Sequence, residues 1–163
     1  MPKGSAVKAY RVPAWLRAMA VPAAAALGVI AILELVYPSI VRGASMRPTL
    51  EDGERILIER FTPTFGSLHR GDVVVLEPPG LENERFVKRI VGLPGDVVAV
   101  DDGQISVGGE VIARCGVDAG CQHTWVVPSD SVFVLGDNLA RSFDSRYFGT
   151  VPLCQVIGRV VGR

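Results

Sequence analysis

The run AMAVPAAAALGVIAIL, sixteen residues from Ala18 to Leu33 without a charge, constrains this chain more than any other segment. A membrane-spanning helix needs about 20 mostly apolar residues, so the run is long enough once Trp15 and Tyr37 extend it into the two membrane interfaces. We therefore expect a single transmembrane anchor over residues 15–37. A cleaved secretory signal and a buried core helix are the other interpretations, and the absence of a small-x-small site soon after Leu33 disfavours the first.

The charges before this run predict its orientation. The basic residues there are Lys3, Lys8, Arg11 and Arg17, and no acidic residue accompanies them. By the positive-inside rule, residues 1–14 form a cytoplasmic tail and residues 38–163 form an extracytoplasmic domain. The expected location is the cytoplasmic membrane, crossed once.

The remainder of the chain has the pattern of a mostly β domain. Short segments rich in Val and Ile recur between turn signals, namely RILIER, GDVVVLEPPG, RFVKRIVGLPGD, VVAVDDGQISVGGEVI, TWVVPSDSVFVLGDN and CQVIGRVVGR. Asp102-Gly103 and Gly108-Gly109 are hairpin dipeptides on either side of QISV. The 17 basic and 17 acidic residues balance, without a basic cluster interleaved with aromatics, so nucleic acid is not an expected partner.

Ser45 lies in the stretch GASMRPTL shortly after the apolar run. Pro48 disfavours a helical conformation at Arg47, and Gly43 permits close backbone approach, so Ser45 should lie on an accessible extended or tightly turned segment. Most serines in such places are solvated turn or cap residues. A nucleophilic serine also needs a base.

Lys88 is the candidate base. A strand over RFVKRIV alternates its faces, so Lys88 shares one face with Phe86 and Ile90, and Arg89 lies on the other. If the first face is buried, desolvation lowers the pKa of the lysine and yields an amine that accepts a proton. The alternatives are that Lys88 extends to solvent while Arg89 faces inward, or that both are exposed.

A third polar segment, LGDNLARSFDSRYFGTVP, follows the apolar strand SVFVL. Its Ser142, Asp144 and Arg146 alternate, so they can share one face and form a hydrogen-bonded, charge-paired support for a neighbouring group. Alone, the segment is also compatible with a structural turn.

Together these segments resemble the bacterial type I signal peptidases, membrane-anchored Ser-Lys proteases also known as leader peptidases. The resemblance runs from Gly43 to the C-terminus through SMRPTL, RGDVVVLEPP, RFVKRIVGLPGD and GDNLARSFDSRYFG. It implies an antiparallel β catalytic domain behind one transmembrane helix. It also implies cleavage of signal peptides from exported preproteins after an Ala-x-Ala-like site, by a monomer at the lipid bilayer, without metal or cofactor.

The resemblance assigns roles residue by residue. Ser45 matches the nucleophile, Lys88 the general base, Ser142 the hydroxyl that orients the lysine, and Asp144 and Arg146 the supporting pair. The positions expected to serve the oxyanion and the substrate are Gly43, Ala44, Met46, Phe86 and Val87. Gly43 stands where one branch of the family supplies a serine hydroxyl to the oxyanion, so that second donor has to be a backbone group or water here.

The cysteines fit an exported domain. Cys115 and Cys121 flank a glycine-containing loop that can close a small disulfide, and the resemblance implies such a bridge in some members. Cys154 remains unpaired in that scheme. Zinc is the alternative for the three cysteines, but their spacing does not make a four-ligand site.

Other functions remain open at this stage. A pilin-maturing peptidase and a self-cleaving repressor share the Ser-Lys chemistry, and the anchor argues against the repressor. A membrane-anchored β domain that binds exported chains without cutting them is an alternative of another class.

The predicted topology is testable in cells. Protease added to intact spheroplasts should digest the C-terminal domain, because residues 38–163 are expected outside, and an immunoblot against each end of the chain reads the outcome. Loss of the N-terminal end alone would contradict the predicted orientation.

Overall fold

The computed structural model describes residues 35–65, 67–81, 83–114 and 122–162, together with Pro13, Pro22 and Gly28. The chain divides into two compact units, Met1–Leu35 and Val36–Arg163. The expected anchor, up to residue 34, and the expected Cys115–Cys121 bridge lie outside the continuously described ranges. Within those ranges, no helix is long and apolar enough to cross a membrane.

Eleven strands form the described part of the second unit, which confirms the prediction of a mostly β domain. They are β1 (Val36–Ile40), β2 (Arg55–Glu59), β3 (Val73–Leu76), β4 (Phe86–Gly92), β5 (Val97–Asp101), β6 (Gln104–Val107), β7 (Glu110–Arg114), β8 (His123–Val126), β9 (Ser131–Leu135), β10 (Val151–Pro152) and β11 (Val156–Gly162). The first strand begins two residues before the predicted domain boundary, because Val36 and Tyr37 pair with β2. Hydrophobicity alone does not separate such residues from the end of an apolar run.

The strands form two antiparallel sheets. The seven-stranded sheet has the order β1-β2-β11-β3-β4-β9-β10, and the four-stranded sheet has the order β7-β6-β5-β8. The predicted hairpin between β5 and β6 is present, with Asp102 and Gly103 at φ angles of 45° and 71°. Two consecutive positive φ angles are those of a type I′ turn, which the Asp-Gly dipeptide favours.

Short helical segments occupy places where no helix was predicted. One-turn α-helices span Phe61–Phe65 and Ser145–Phe148, and 3-10 turns span Leu139–Arg141 and Leu153–Gln155. Elements this short contain too few residues to show a helical period in the sequence. Glu59 caps the first helix by accepting a hydrogen bond of 2.9 Å from Thr62 N–H, and Asp144 caps the second.

A shared hydrophobic cluster holds the two sheets together. It combines Val91, Phe133 and Leu135 of the large sheet with residues of the small sheet such as Val98 and Ile105. Backbone approach here is close, since a Cβ on Gly92 would lie 2.9 Å from both Phe133 Cβ and Val98 Cγ2. The second half of β4 is therefore fixed by packing on the small sheet, which positions the first half of the same strand, where Lys88 lies.

Candidate active site

The turn that carries Ser45 is attached to the core on both sides. Gly43 has a φ of 90°, a conformation that favours glycine, and its N–H donates a 2.7 Å hydrogen bond to Asp52 Oδ1. Met46 and Leu50, respectively 1% and 2% exposed, pack into a hydrophobic cluster below the turn. Ser45 is thus held, half-buried, on an anchored turn.

Lys88 lies on the buried face of β4, in agreement with its predicted partners on that face. Its side chain is 3% exposed, and Nζ lies 3.0 Å from Ser45 Oγ. The same amine lies 5.0 Å from the centre of the Phe86 ring, and Ile90 is fully buried. The structure therefore brings the candidate nucleophile and base within hydrogen-bond distance across 43 residues of sequence.

Burial lowers the pKa of Lys88 from 10.5 to about 8. Asp144 acts against this by attracting the ammonium, and Arg146 reinforces it by repulsion. Desolvation is the largest of the three causes, as expected for an amine enclosed by apolar side chains. The consequence is an amine that loses its proton well below the range of an exposed lysine.

Asp144 and Arg146 form the predicted charge pair. Arg146 Nε donates to Asp144 Oδ1 at 2.8 Å, and their side chains are 8% and 0% exposed. Asp144 Oδ2 also accepts from the Gly136 N–H at 3.0 Å, while Arg146 Nη2 donates to the Leu139 carbonyl at 2.8 Å. The pair therefore binds both ends of the loop that precedes Ser142.

Ser142 lies beside Gly136, which also approaches the Ser45 carbonyl, but the Ser142 hydroxyl does not make the predicted hydrogen bond to Lys88. Its side chain is buried, and among the described residues its Oγ has no hydrogen-bond partner. A Cβ placed on Gly136 would clash with this oxygen, so the hydroxyl lies against the Gly136 backbone. The role of Ser142 in orienting the lysine stays a prediction.

The segment Gly136 to Asn138 holds the backbone of the nucleophile turn, a function that the sequence did not reveal. The Asn138 N–H donates to the Ser45 carbonyl at 2.9 Å, and Asn138 Nδ2 donates to the Ala44 carbonyl at 3.1 Å. A Cβ on Gly136 would come within 2.5 Å of the same Ser45 carbonyl oxygen. The polar triplet GDN directly after a buried strand indicates that this segment has a special role, but it does not predict which residues the segment contacts.

Arg89 fixes the same segment from the opposite face of β4. Its Nε and Nη2 donate to the two carboxylate oxygens of Asp137 at 2.8 Å and 2.6 Å, and its Nη1 donates to the Gly71 carbonyl at 2.7 Å. Burial acts to raise the pKa of Asp137, but hydrogen bonds from Arg89 and Thr49 outweigh it and hold this pKa below its usual value. Two neighbouring residues of β4 therefore have different roles. Lys88 places its amine beside Ser45, and Arg89 holds the loop that contains Asp137.

A cleft of about 430 Å³ opens onto Ser45 and Lys88. All five positions predicted to serve the oxyanion or the substrate line it: Gly43, Ala44, Met46, Phe86 and Val87. The apolar side chains of Ile58 and Val75 also contribute to its lining, together with the half-exposed ring of Phe143, which the sequence did not single out.

Among the described residues, two strand edges that border this cleft have no neighbouring strand. β1 is the terminal strand of its sheet. β4 pairs with β3 along Phe86 to Arg89, but β9 begins its pairing only at Arg89. Phe86, Val87 and Lys88 therefore have a neighbouring strand on one side only within the described residues, and such an edge pairs readily with an added extended peptide.

The candidate oxyanion donor is the backbone of Ser45. Its N–H has no hydrogen-bond acceptor in the described part of the chain. The Gly43 N–H, in contrast, is already bound to Asp52. Of these two groups, only the Ser45 N–H is free to bind a developing negative charge.

Cys154 is exposed and does not line this cleft.

Comparison with known proteins connects this site to one family. The chain matches the family described as "Signal peptidase, peptidase S26" over residues 13–163. Signal peptidase I of Leptolyngbya laminosa is 38% identical over 130 residues, which are 73% of this chain and 64% of that protein. Signal peptidase I V of Bacillus subtilis is 33% identical over 135 residues, 72% of this chain and 79% of that protein. The chain thus spans less than two thirds of the length of the Leptolyngbya protein.

A crystal structure of a signal peptidase I from Enterococcus faecalis is also similar. It shares 29% sequence identity with this chain at a TM-score of 0.49 and covers 60% of this chain and 100% of its own.

The depressed pKa of Lys88 predicts a pH profile. If this amine is the base, kcat/KM on a signal-peptide substrate should rise with pH through an apparent pKa near 8, because only the neutral amine accepts a proton. Lys88→Arg should be inactive, since a guanidinium stays protonated when desolvated. A rising limb centred near 10, the value of an exposed lysine, would exclude Lys88 as the base.

The contacts of Gly136 predict a second outcome. Gly136→Ala should lower kcat/KM by roughly a hundredfold or more, because the added methyl group displaces the Ser45 carbonyl or the Ser142 side chain by about an ångström. Ala140→Gly, at an exposed position two residues beyond this segment, is the control and should retain activity. Circular dichroism separates a displaced site from an unfolded domain, and full activity of a folded Gly136→Ala chain would show that the segment does not position Ser45.

Proposed function

Because the chain belongs to the signal peptidase family, peptidase S26, we propose that it is a serine endopeptidase that removes N-terminal signal peptides from exported preproteins. The observation that carries this proposal is the 3.0 Å separation between Ser45 Oγ and the buried amine of Lys88. A hydroxyl beside a lysine of lowered pKa has the arrangement required of an activated nucleophile. We infer signal peptides as the substrates of this chain from its membership of this family.

In the acylation step, neutral Lys88 Nζ takes the proton of the Ser45 hydroxyl as Oγ forms a bond to the scissile carbonyl carbon. The carbonyl oxygen becomes an oxyanion, which the Ser45 N–H stabilises. When the C–N bond breaks, the Lys88 ammonium returns its proton to the departing amine, the new N-terminus of the mature chain. A water activated by the same lysine then hydrolyses the acyl-enzyme, which releases the signal peptide.

The cleft suits an extended peptide with small side chains near the cut. A substrate strand lying between the open edges of β1 and β4 gains backbone hydrogen bonds from both, and its alternate side chains point to the cleft floor. The apolar floor, which includes Met46 and Val87, favours small apolar groups such as alanine. This arrangement supports the Ala-x-Ala-like specificity expected from the resemblance.

We further propose that a single helix within residues 15–35, ending before β1 begins at Val36, anchors the catalytic domain to the extracytoplasmic face of the cytoplasmic membrane. The support is the uncharged run from Ala18 to Leu33 and the basic residues before it. Ile40, at the end of β1 and 57% exposed, lines the cleft and gives its entrance an apolar border. Such a border is compatible with a substrate that emerges from the bilayer.

The proposal predicts a clear difference between two serine variants. With a preprotein carrying an Ala-x-Ala site as substrate, Ser45→Ala should abolish cleavage while the domain stays folded, because only a small side chain of a half-buried turn is removed. Ser67→Ala, at an exposed serine outside the cleft, should cleave at the wild-type rate. Gel shift and N-terminal sequencing of the product measure both outcomes, and cleavage by a Ser45→Ala preparation free of host peptidase would end the Ser-Lys proposal.

A further inference from the structure

The lining of the catalytic cleft has an uneven charge. Besides Lys88, three arginines line it, and no aspartate or glutamate does so among the described residues. They are Arg42, Arg85 and Arg141, called here the arginine rim. All three are exposed. The chain as a whole carries equal numbers of basic and acidic residues, so this excess is local to the cleft.

Three separate segments bring the arginine rim together. Arg42 follows the end of β1 and precedes Ser45 by three residues. Arg85 directly precedes β4 and lies three residues before Lys88, and Arg141 ends the 3-10 turn before Ser142. Each segment that carries a candidate catalytic or supporting residue therefore also contributes one guanidinium to the same cleft.

The charges of the arginine rim are poorly neutralised within the protein. Arg89, Arg146 and Arg159 each bind a carboxylate at 3.1 Å or closer. Arg85, in contrast, has its nearest carboxylate, that of Glu77, at 3.8 Å, and the two side chains are 63% and 41% exposed. The guanidinium groups of Arg42 and Arg141 have no hydrogen-bond or ion-pair partner within the described ranges. The cleft mouth is thus positively charged before any substrate binds.

We propose that the arginine rim recognises an acidic side chain of the substrate next to the scissile bond. This inference rests on the proposed function. In an extended substrate, the side chains one and three residues before the cut point toward the cleft floor, so those at the second residue before the cut and the first after it point toward the mouth. A guanidinium forms two parallel hydrogen bonds with a carboxylate there, which an amide of equal size does not reproduce.

The location of the arginine rim favours a peptide carboxylate over a lipid phosphate. The three side chains line the same cleft as Ser45 Oγ and Lys88 Nζ, and two of them extend from the ends of the strand edges proposed to pair with the substrate. Binding to a headgroup at the membrane surface requires no such convergence on the catalytic atoms. The positive charge of the arginine rim is therefore placed where it favours peptide substrates that carry an acidic side chain near the cut.

The test uses the full chain in a neutral detergent at low salt. Four peptides with the same Ala-x-Ala site form two matched pairs. One pair carries Glu or Gln at the second position before the cut, and the other pair carries Glu or Gln at the first position after it. The measured quantity is the ratio of kcat/KM for Glu over Gln at each position. For exposed charge pairs, we expect a ratio of roughly two to five at one position or both, falling toward one as salt screens the charges.

Single variants locate the preference. Arg42→Gln, Arg85→Gln and Arg141→Gln should each reduce the ratio, whereas Arg114→Gln, at an exposed arginine of β7 outside the cleft, should leave both the ratio and the rate unchanged. The apparent pKa of the rate should stay the same in the arginine variants, because burial, Asp144 and Arg146 are the causes that set the pKa of Lys88. An unchanged ratio in all three arginine variants would overturn the inference.

Other outcomes separate this inference from the proposed function. If the wild type cleaves all four peptides with ratios of one, the arginine rim is not a specificity element, while the peptidase function stands. If no peptide or preprotein is cleaved, the proposed function itself fails. If the ratios are one and the arginine variants lose binding to vesicles containing phosphatidylglycerol, the arginine rim serves the membrane and the inference is wrong.

Discussion

The burial of one amine is the constraint on which the rest of this site depends. Lowering the pKa of Lys88 from 10.5 to about 8 corresponds to roughly 3 kcal/mol of lost stabilisation of the ammonium relative to water. Packing in the sheet destabilises the ammonium by this amount only if the side chain cannot extend to solvent. The apolar residues around Lys88, the pairing of its segment of β4 with β3 and the close contact of Gly92 with the small sheet all contribute to this enclosure. Asp144 limits the effect, so the amine still gains and loses its proton near neutral pH.

The parts of this arrangement that are local in sequence were predictable. The alternation of RFVKRIV placed Lys88 with Ile90 and against Arg89, and the Asp-Gly and Gly-Gly dipeptides marked hairpins that the structure contains. Catalytic candidates followed from the resemblance, and the structure brings Ser45 and Lys88 together without testing their roles. The Ser142 hydroxyl shows the limit, because a pattern predicts its neighbourhood but not the rotamer that decides its hydrogen bond.

The parts that depend on distant contacts were not predictable. Asn138 binds the Ala44 carbonyl across 94 residues, and Arg89 binds Asp137 across 48. Nothing in the local sequence of either pair specifies the other, since polar residues after a strand suit a solvated turn equally well. The start of β1 was missed for a related reason: its pairing with β2, rather than its composition, makes Val36 and Tyr37 part of the sheet.

The hydrogen bonds from Asn138 to the Ser45 turn also set an order of events during synthesis. The turn lies near the beginning of the β domain and its partner loop near the end, so the first of these segments leaves the ribosome long before the second. Until the loop arrives, the Ala44 and Ser45 carbonyls lack the donors that position them, and β9 is absent beside β4. A nascent chain that has exposed Ser45 and Lys88 therefore does not yet have an assembled site. The geometry around Ser45 therefore appears only when nearly the whole domain has been made.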